Sequence, residues 1–271
     1  MAPLMETSEG SNDVRVDSWC DLCEKLYENS WQQGLLRFRS NFAFRGLSDK
    51  AYSLKNSFTR RCGTSAHLEY HLLRNFSKYA EVPWTGNEAS DWRWLTIAQH
   101  HGLPTRLLDW TYSPFVAAHF ATADTERFDC DGAIWFADYV KINKMLPSPL
   151  ADELVHHGAN AFTLEMLEHA LDNIKRFDAL GGELVLFFEP PSIDGRIVNQ
   201  FAFFSVMSSP TARLDRWLEN HPDLYGRIII PKDLKWEIRD KLDLANITER
   251  ILFPGLDGLA SWLKRYYTPR C

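Results

Sequence analysis

The sequence predicts an α+β fold. Helical periodicity dominates the first half, strand-like runs gather in the last third, and no regular alternation of strand and helix joins them. The opening "MAPLMETSEGSNDV" is acidic and polar with no apolar core, so residues 1–15 read as an unstructured start, neither a signal peptide nor a basic transit peptide. Next, "VDSWCDLCEKLYENSW" places Val16, Trp19, Cys20, Cys23, Leu26 and Tyr27 on one helical face, with Asp17 or Ser18 as a cap. "NFAFRG" follows: Phe42 and Phe44 alternate as in a half-buried strand that ends at Arg45, and Gly46 supplies freedom to turn. In "SAHLEYHLLRNFSKYAEV", Leu68, Leu72, Leu73 and Phe76 recur at helical spacing. "DWRWLTIAQHHG" predicts a helix that starts at a capping Asp91 and stops at Gly102.

"LPTRLLDWTYSPFVAAHFATAD" runs strand-like through Leu107 and Leu108, turns near Thr111 to Pro114, and enters a helix whose first turn accepts the proline. "GAIWFADY" is a buried strand. Residues 145–178 form a loop and helical insert, with Leu164, Leu167, Leu171 and Ile174 along one face. Four strands are expected at "GELVLFFEPP", "RIVNQFAFFSVMS", "YGRIIIP" and the run before "LFPGLD". Helices at "ARLDRWLENH", "PKDLKWEIRDKLDLANI" and "LDGLASWLKRYY" separate and follow them. Residues 16–271 are expected to form one domain, without internal repeats.

The chain of 271 residues is 45% hydrophobic, enough for a substantial core, and its ten tryptophans suit either that core or the wall of a ligand cleft. A net charge of -6 argues against a broad nucleic-acid-coating surface but leaves room for a local basic cleft. Five cysteines without a paired framework fit a reducing compartment. No apolar run reaches the length of a membrane span. The expectation is an intracellular, cytoplasmic protein without a membrane partner.

Three groups of residues carry candidate chemistry. Arg45 at a strand end either holds an anion with its planar donor fork or forms a structural salt bridge. Gln99, His100, His101, Thr105, Arg106, Asp109, Trp110 and Thr111 crowd a helix-to-strand connection. The adjacent histidines point apart on a helix end, which suits capping or core hydrogen bonds better than one shared metal. Arg106 and Asp109 read as an internal ion pair. Cys20 and Cys23 form a lone CxxC on a helix, with no second pair to complete a metal site. No metal is expected.

"FAFRG", "AQHHGLPTRLLDWTYSPFVAAHFA" and "LFPGLDGLA" resemble the FRG-domain family, named for its Phe-x-Arg-Gly motif, over roughly residues 42–263. The same blocks resemble the arginine-serine-glutamate layout of ADP-ribosyltransferases. That resemblance implies a split pair of small β-sheets forming a cleft for NAD, with a helical N-terminal part and a helical insert. It implies that Arg45, with Gly46, contacts NAD phosphate or ribose, that Thr111 positions the ribose, and that Glu249 before "LFP" acts as the catalytic carboxylate. Counted back from Pro254, the glutamate of the pattern falls on Arg250, with Glu249 one place earlier, and a one-residue slip in a strand changes the face. His101 and Trp110 are expected as cleft neighbours, and Gln200 as a residue that orients substrate or makes an ordinary hydrogen bond. Gln99, Arg106 and Asp109 are expected to brace the cleft from behind.

The implied activity is transfer of ADP-ribose from NAD to an unidentified protein or nucleic-acid acceptor. Three alternatives stand beside it: hydrolysis of NAD without an acceptor, a non-catalytic module that binds a nucleotide or nucleic-acid end, and an interaction domain whose polar blocks only hold the fold together. Chemically, a pyrophosphate calls for a fixed arginine fork, and cleavage of the nicotinamide bond calls for a carboxylate near the developing oxocarbenium ion.

Overall fold

The computed structural model describes residues 12–63, 65–80 and 90–269. It has an α+β architecture built on a seven-stranded mixed sheet, with a separate two-stranded hairpin. The strands are β1 (Asp13–Arg15), β2 (Trp31–Gln32), β3 (Arg37–Phe38), β4 (Phe42–Leu47), β5 (Leu108–Thr111), β6 (Gly132–Asp138), β7 (Val185–Phe188), β8 (Ala202–Met207) and β9 (Tyr225–Ile230). The large sheet runs β1-β9-β6-β4-β5-β8-β7, and β2 pairs with β3. β1 adds in parallel to β9, from Asp13 opposite Arg227 to Arg15 opposite Ile229. Residues 13–15 are therefore a sheet edge and not part of an unstructured start, while 1–11 lie outside the described residues.

The sheet is joined unevenly. β4 pairs with β6 along its full length, from Phe42 opposite Asp138 to Leu47 opposite Ala133. On its other side β4 meets β5 at a single position, Phe44 opposite Thr111. Beyond that point β5 is committed to β8, from Leu108 opposite Ser205 to Thr111 opposite Ala202. The sheet thus consists of two halves that touch once and then part, leaving a wedge between residues 44–46 and 109–111.

Side-chain alternation buries both faces of the β5-β8-β7 half. Leu186, Phe188, Phe204 and Val206 join a core with Trp92, Leu164, Leu167 and Phe177. Val185, Phe187, Phe203 and Met207 turn to the opposite face, against Leu108, Trp110, Trp135 and Trp217. In the other half, Phe44, Ile134, Ile228 and Ile230 pack against helices Trp19–Tyr27, Pro114–Ala121 and Lys235–Leu244. Three helices, Leu150–His157, Leu164–Ala170 and Ile174–Ala179, occupy the segment read as an insert.

Some local expectations change. The strand carrying Arg45 does not break at Gly46 but continues to Leu47. Gly46 is required for packing: a Cβ there would lie 1.9 Å from the Ala117 carbonyl oxygen and 2.6 Å from the Ala121 nitrogen. Helix Pro114–Ala121 rests its backbone directly on β4 at this residue, which no other side chain permits. The run "RIVNQFAFFSVMS" divides into helix Gly195–Asn199, capped by Asp194, and then β8, because Phe201 takes a left-handed φ of 48° between them. The segment before "LFPGLD" is helix Glu249–Leu252 and not a strand.

Candidate functional site

The wedge between β4 and β5 opens into a cavity of about 190 Å3. Phe44, Arg45 and Gly46 form one wall and Asp109, Trp110 and Thr111 the other. Gln99 and His100 come from the C-terminal end of helix Asp91–His100, Arg196, Ile197 and Gln200 from the segment around helix Gly195–Asn199, and Phe120, Ala202 and Phe204 complete the lining. Polar groups from four separated stretches converge in an otherwise apolar recess, as in small-molecule sites generally.

Arg45 bridges the parting strands. Its Nη1 donates to the main-chain carbonyl of Asp109 and lies 3.9 Å from the Asp109 carboxylate. Its Nε is buried and has no hydrogen-bond partner. The same holds for the Nε of Arg227 and Arg239 away from the cavity, so what sets Arg45 apart is its place in the cavity wall, where its guanidinium is the cation that an entering anion meets. Burial lowers the guanidinium pKa from its usual value, Asp109 opposes that shift, and nearby Arg60 adds to it. Arginine nevertheless keeps its charge across the physiological range.

Asp109 is aimed by a chain of hydrogen bonds. Gln99 Nε2 lies 3.0 Å from each carboxylate oxygen, and the Gln99 carbonyl oxygen accepts from the Thr105 hydroxyl. Thr105 Oγ1 in turn accepts from the Leu107 nitrogen at 3.2 Å. The Asp109 carboxylate can only accept, so it faces the Gln99 NH2, and the amide oxygen is left to accept from the Thr105 hydroxyl. Asp109 does not pair with Arg106. Arg106 is fully buried on the other side, against Glu69 and Asp178, and braces the core away from the cavity.

His100, and not His101, lines the cavity; His101 caps the helix and is exposed. The His100 ring lies 2.5 Å from Asp194, so it ties the helix end to the cap of helix Gly195–Asn199. The Asp194 carboxyl is pushed up by burial but held below its usual range by the Ile197 backbone N–H and by His100. Among the described residues no cluster of histidine, cysteine or carboxylate side chains has the form of a metal site, and Cys20 and Cys23 are free thiols on a helix.

Trp110, Thr111 and Gln200 line the cavity, yet their functional groups are engaged within the protein. Trp110 Nε1 donates to Ser205 Oγ at 2.9 Å. Thr111 Oγ1 donates to the Gln200 carbonyl at 2.7 Å and accepts from the Ser113 nitrogen at 3.0 Å. Gln200 Nε2 donates to the Leu252 carbonyl at 2.9 Å. These groups fix the shape of the cleft.

Glu249 is not among the residues lining the cavity. Its two oxygens accept from Arg265 Nε at 2.7 Å and Nη2 at 2.8 Å, and Arg239 stands 3.7 Å away. Burial works against the carboxylate, but the Arg265 hydrogen bonds and the charge of Arg239 outweigh it and hold the pKa at about 2. The physical reason for the difference from the sequence expectation is the helix over Glu249–Leu252, which turns Glu249 into a buried ion-pair network with Asp243 instead of presenting it at a strand end.

The sequence reading missed Arg196 and Phe120 and gave Gln99 and Asp109 supporting roles only. For Asp109 a signal exists: a carboxylate set between Leu108 and Trp110 in a strand-like apolar run. Arg196 reaches the cavity only through the fold.

No helix among the described residues is long and apolar enough to cross a membrane. Comparison with curated proteins and with solved structures finds no match. The stretch 40–130, which contributes Phe44 to Gly46, Gln99, His100, Asp109 to Thr111 and Phe120 to the cavity, matches the family described as the FRG domain.

Proposed function

We propose that this cleft binds NAD and that the protein transfers ADP-ribose from it to a macromolecular acceptor. The observation that carries the reading is Arg45, a cation in the cavity wall at the parting of two half-sheets. A phosphate in the cavity would meet the charge of this guanidinium and accept from it. The reading is supported by two short sets of strands, β1-β9-β6-β4 and β5-β8-β7, that diverge around the cavity. At about 190 Å3 the enclosed space falls below the roughly 300–1,000 Å3 typical of complete ligand pockets. One nucleoside phosphate half of NAD would enter, with the rest lying across the mouth near exposed Arg196.

The test is incubation with NAD labelled on the adenine side, following free nicotinamide and label retained on macromolecules in cell extract. Nicotinamide release with retained label is expected. Release without retained label points to hydrolysis, and no release with wild-type protein and extract removes the enzymatic reading.

A second reading, a nucleotide-binding module without turnover, is favoured by the seclusion of Glu249 in its pair with Arg265. It predicts a rise in Tm with NAD that Arg45→Met removes, and no nicotinamide release at all.

A further inference from the structure

We infer that Asp109 is the carboxylate that acts on the sugar of the bound nucleotide, a role that rests on the NAD reading above. Among the described residues lining the cavity it is the only aspartate or glutamate. Its side chain is 61% exposed, so a substrate reaches it without displacing packed structure. The Gln99 amide meets both of its oxygens, and the Thr105 hydroxyl locks that amide, so the carboxylate is oriented before any ligand arrives.

The spacing of charges suits a ribose phosphate. Arg45 lines the cavity with its Nη1 3.9 Å from the Asp109 carboxylate, so cation and carboxylate stand side by side in one wall. A nucleotide carries its phosphate and its anomeric carbon on opposite sides of one small ring, so a phosphate at Arg45 sets C1′ beside Asp109. In the reaction the C1′–N bond breaks and its electron pair leaves on the nicotinamide nitrogen, which departs neutral and needs no proton. The oxygen of water or of an acceptor hydroxyl forms the new C1′–O bond, and its proton passes to Asp109. The carboxylate also opposes the positive charge that develops at C1′ on the way.

The test compares wild type, Asp109→Asn and Glu249→Gln with NAD at a temperature where all three are folded. Asparagine keeps an acceptor for Gln99, so the cavity retains its shape. Nicotinamide release by Asp109→Asn is expected to fall by about 100-fold or more, the usual yield of a general base, while NAD still raises its Tm. Glu249→Gln is expected to keep release within a few-fold. The acidic limb of the pH–rate profile should be present in wild type and Glu249→Gln and missing from the residual activity of Asp109→Asn. A purely structural Asp109 would lose the NAD-induced Tm rise together with turnover, and that result overturns the assignment. Release by Asp109→Asn equal to wild type overturns it as well, while leaving the NAD reading intact. Absence of release from wild type removes both.

Discussion

At the scale of single residues, Glu249 and Arg45 hold their charges in different settings. Glu249 is paired with Arg265 and Arg239 away from the cavity, whereas Arg45 stands in the cavity wall beside Asp109. Breaking a buried pair strands its partner, so Glu249→Gln is expected to cost about 3 kcal/mol, read from urea unfolding at neutral pH. Folding favours the ionised Glu249, since its pKa falls from 4.5 to about 2. Its contribution is therefore full above pH 4.5, declines as pH drops and is gone near pH 2, and Glu249→Gln should flatten the stability curve in that window. Arg45→Met should behave differently. It removes one hydrogen bond along with an unsatisfied buried donor, so Tm is expected to stay within about 3 °C of wild type while the NAD-dependent Tm rise disappears. A large Tm loss without any change in NAD response would mark Arg45 as a structural strap.

At the scale of elements, one contact holds the wall that carries Arg45: helix Pro114–Ala121 lying on β4 at Gly46. On its other edge β4 meets β5 only at Phe44 and Thr111. Gly46→Ala forces the helix away and is expected to destabilise by about 1–3 kcal/mol or more, lowering Tm by roughly 3–10 °C. It should also weaken the NAD response of the protein that remains folded, since Arg45 is the adjacent residue. An unchanged Tm would mean that the helix yields easily at this point. The short helix Gly195–Asn199 is the second device. With its Asp194 cap tied to His100, it carries Arg196 and Gln200 to the mouth of the cavity.

At the scale of the whole molecule, helix Pro114–Ala121 also links the cleft to the buried charge network. His119, on that helix, is fully buried with Nδ1 2.9 Å from Arg239 Nη1, and burial followed by the Arg239 charge lowers its pKa from 6.5 to about 3. The unfolded chain takes up a proton below pH 6.5 that the folded chain refuses until about pH 3, so stability should fall as pH drops through that interval. His119→Gln is expected to reduce the slope between pH 6.5 and 4.5, above the Glu249 window; an unaltered slope would place the acid sensitivity elsewhere.

The sequence by itself determined what depends on local pattern. An expected cap and a glycine stop disclosed helix Asp91–His100, although Ser90 and not Asp91 caps it; the apolar run disclosed the buried strand at "GAIWFAD", the proline marked the start of helix Pro114–Ala121, and the Phe-x-Arg-Gly block singled out Arg45. Tertiary structure alone decided the rest. Whether the Glu249 segment was strand or helix turned on Arg265 and Asp243, partners that local propensity does not see. Whether His100 or His101 faced the cavity depended on the last turn of a helix, where one residue rotates a side chain by about 100°. The promotion of Asp109 required Gln99, Thr105 and Arg45 to meet around it, and only the single-point contact between β4 and β5 leaves the space in which they do. Local pattern fixes which residues can serve a site, whereas the packing of distant segments fixes which of them share a cavity.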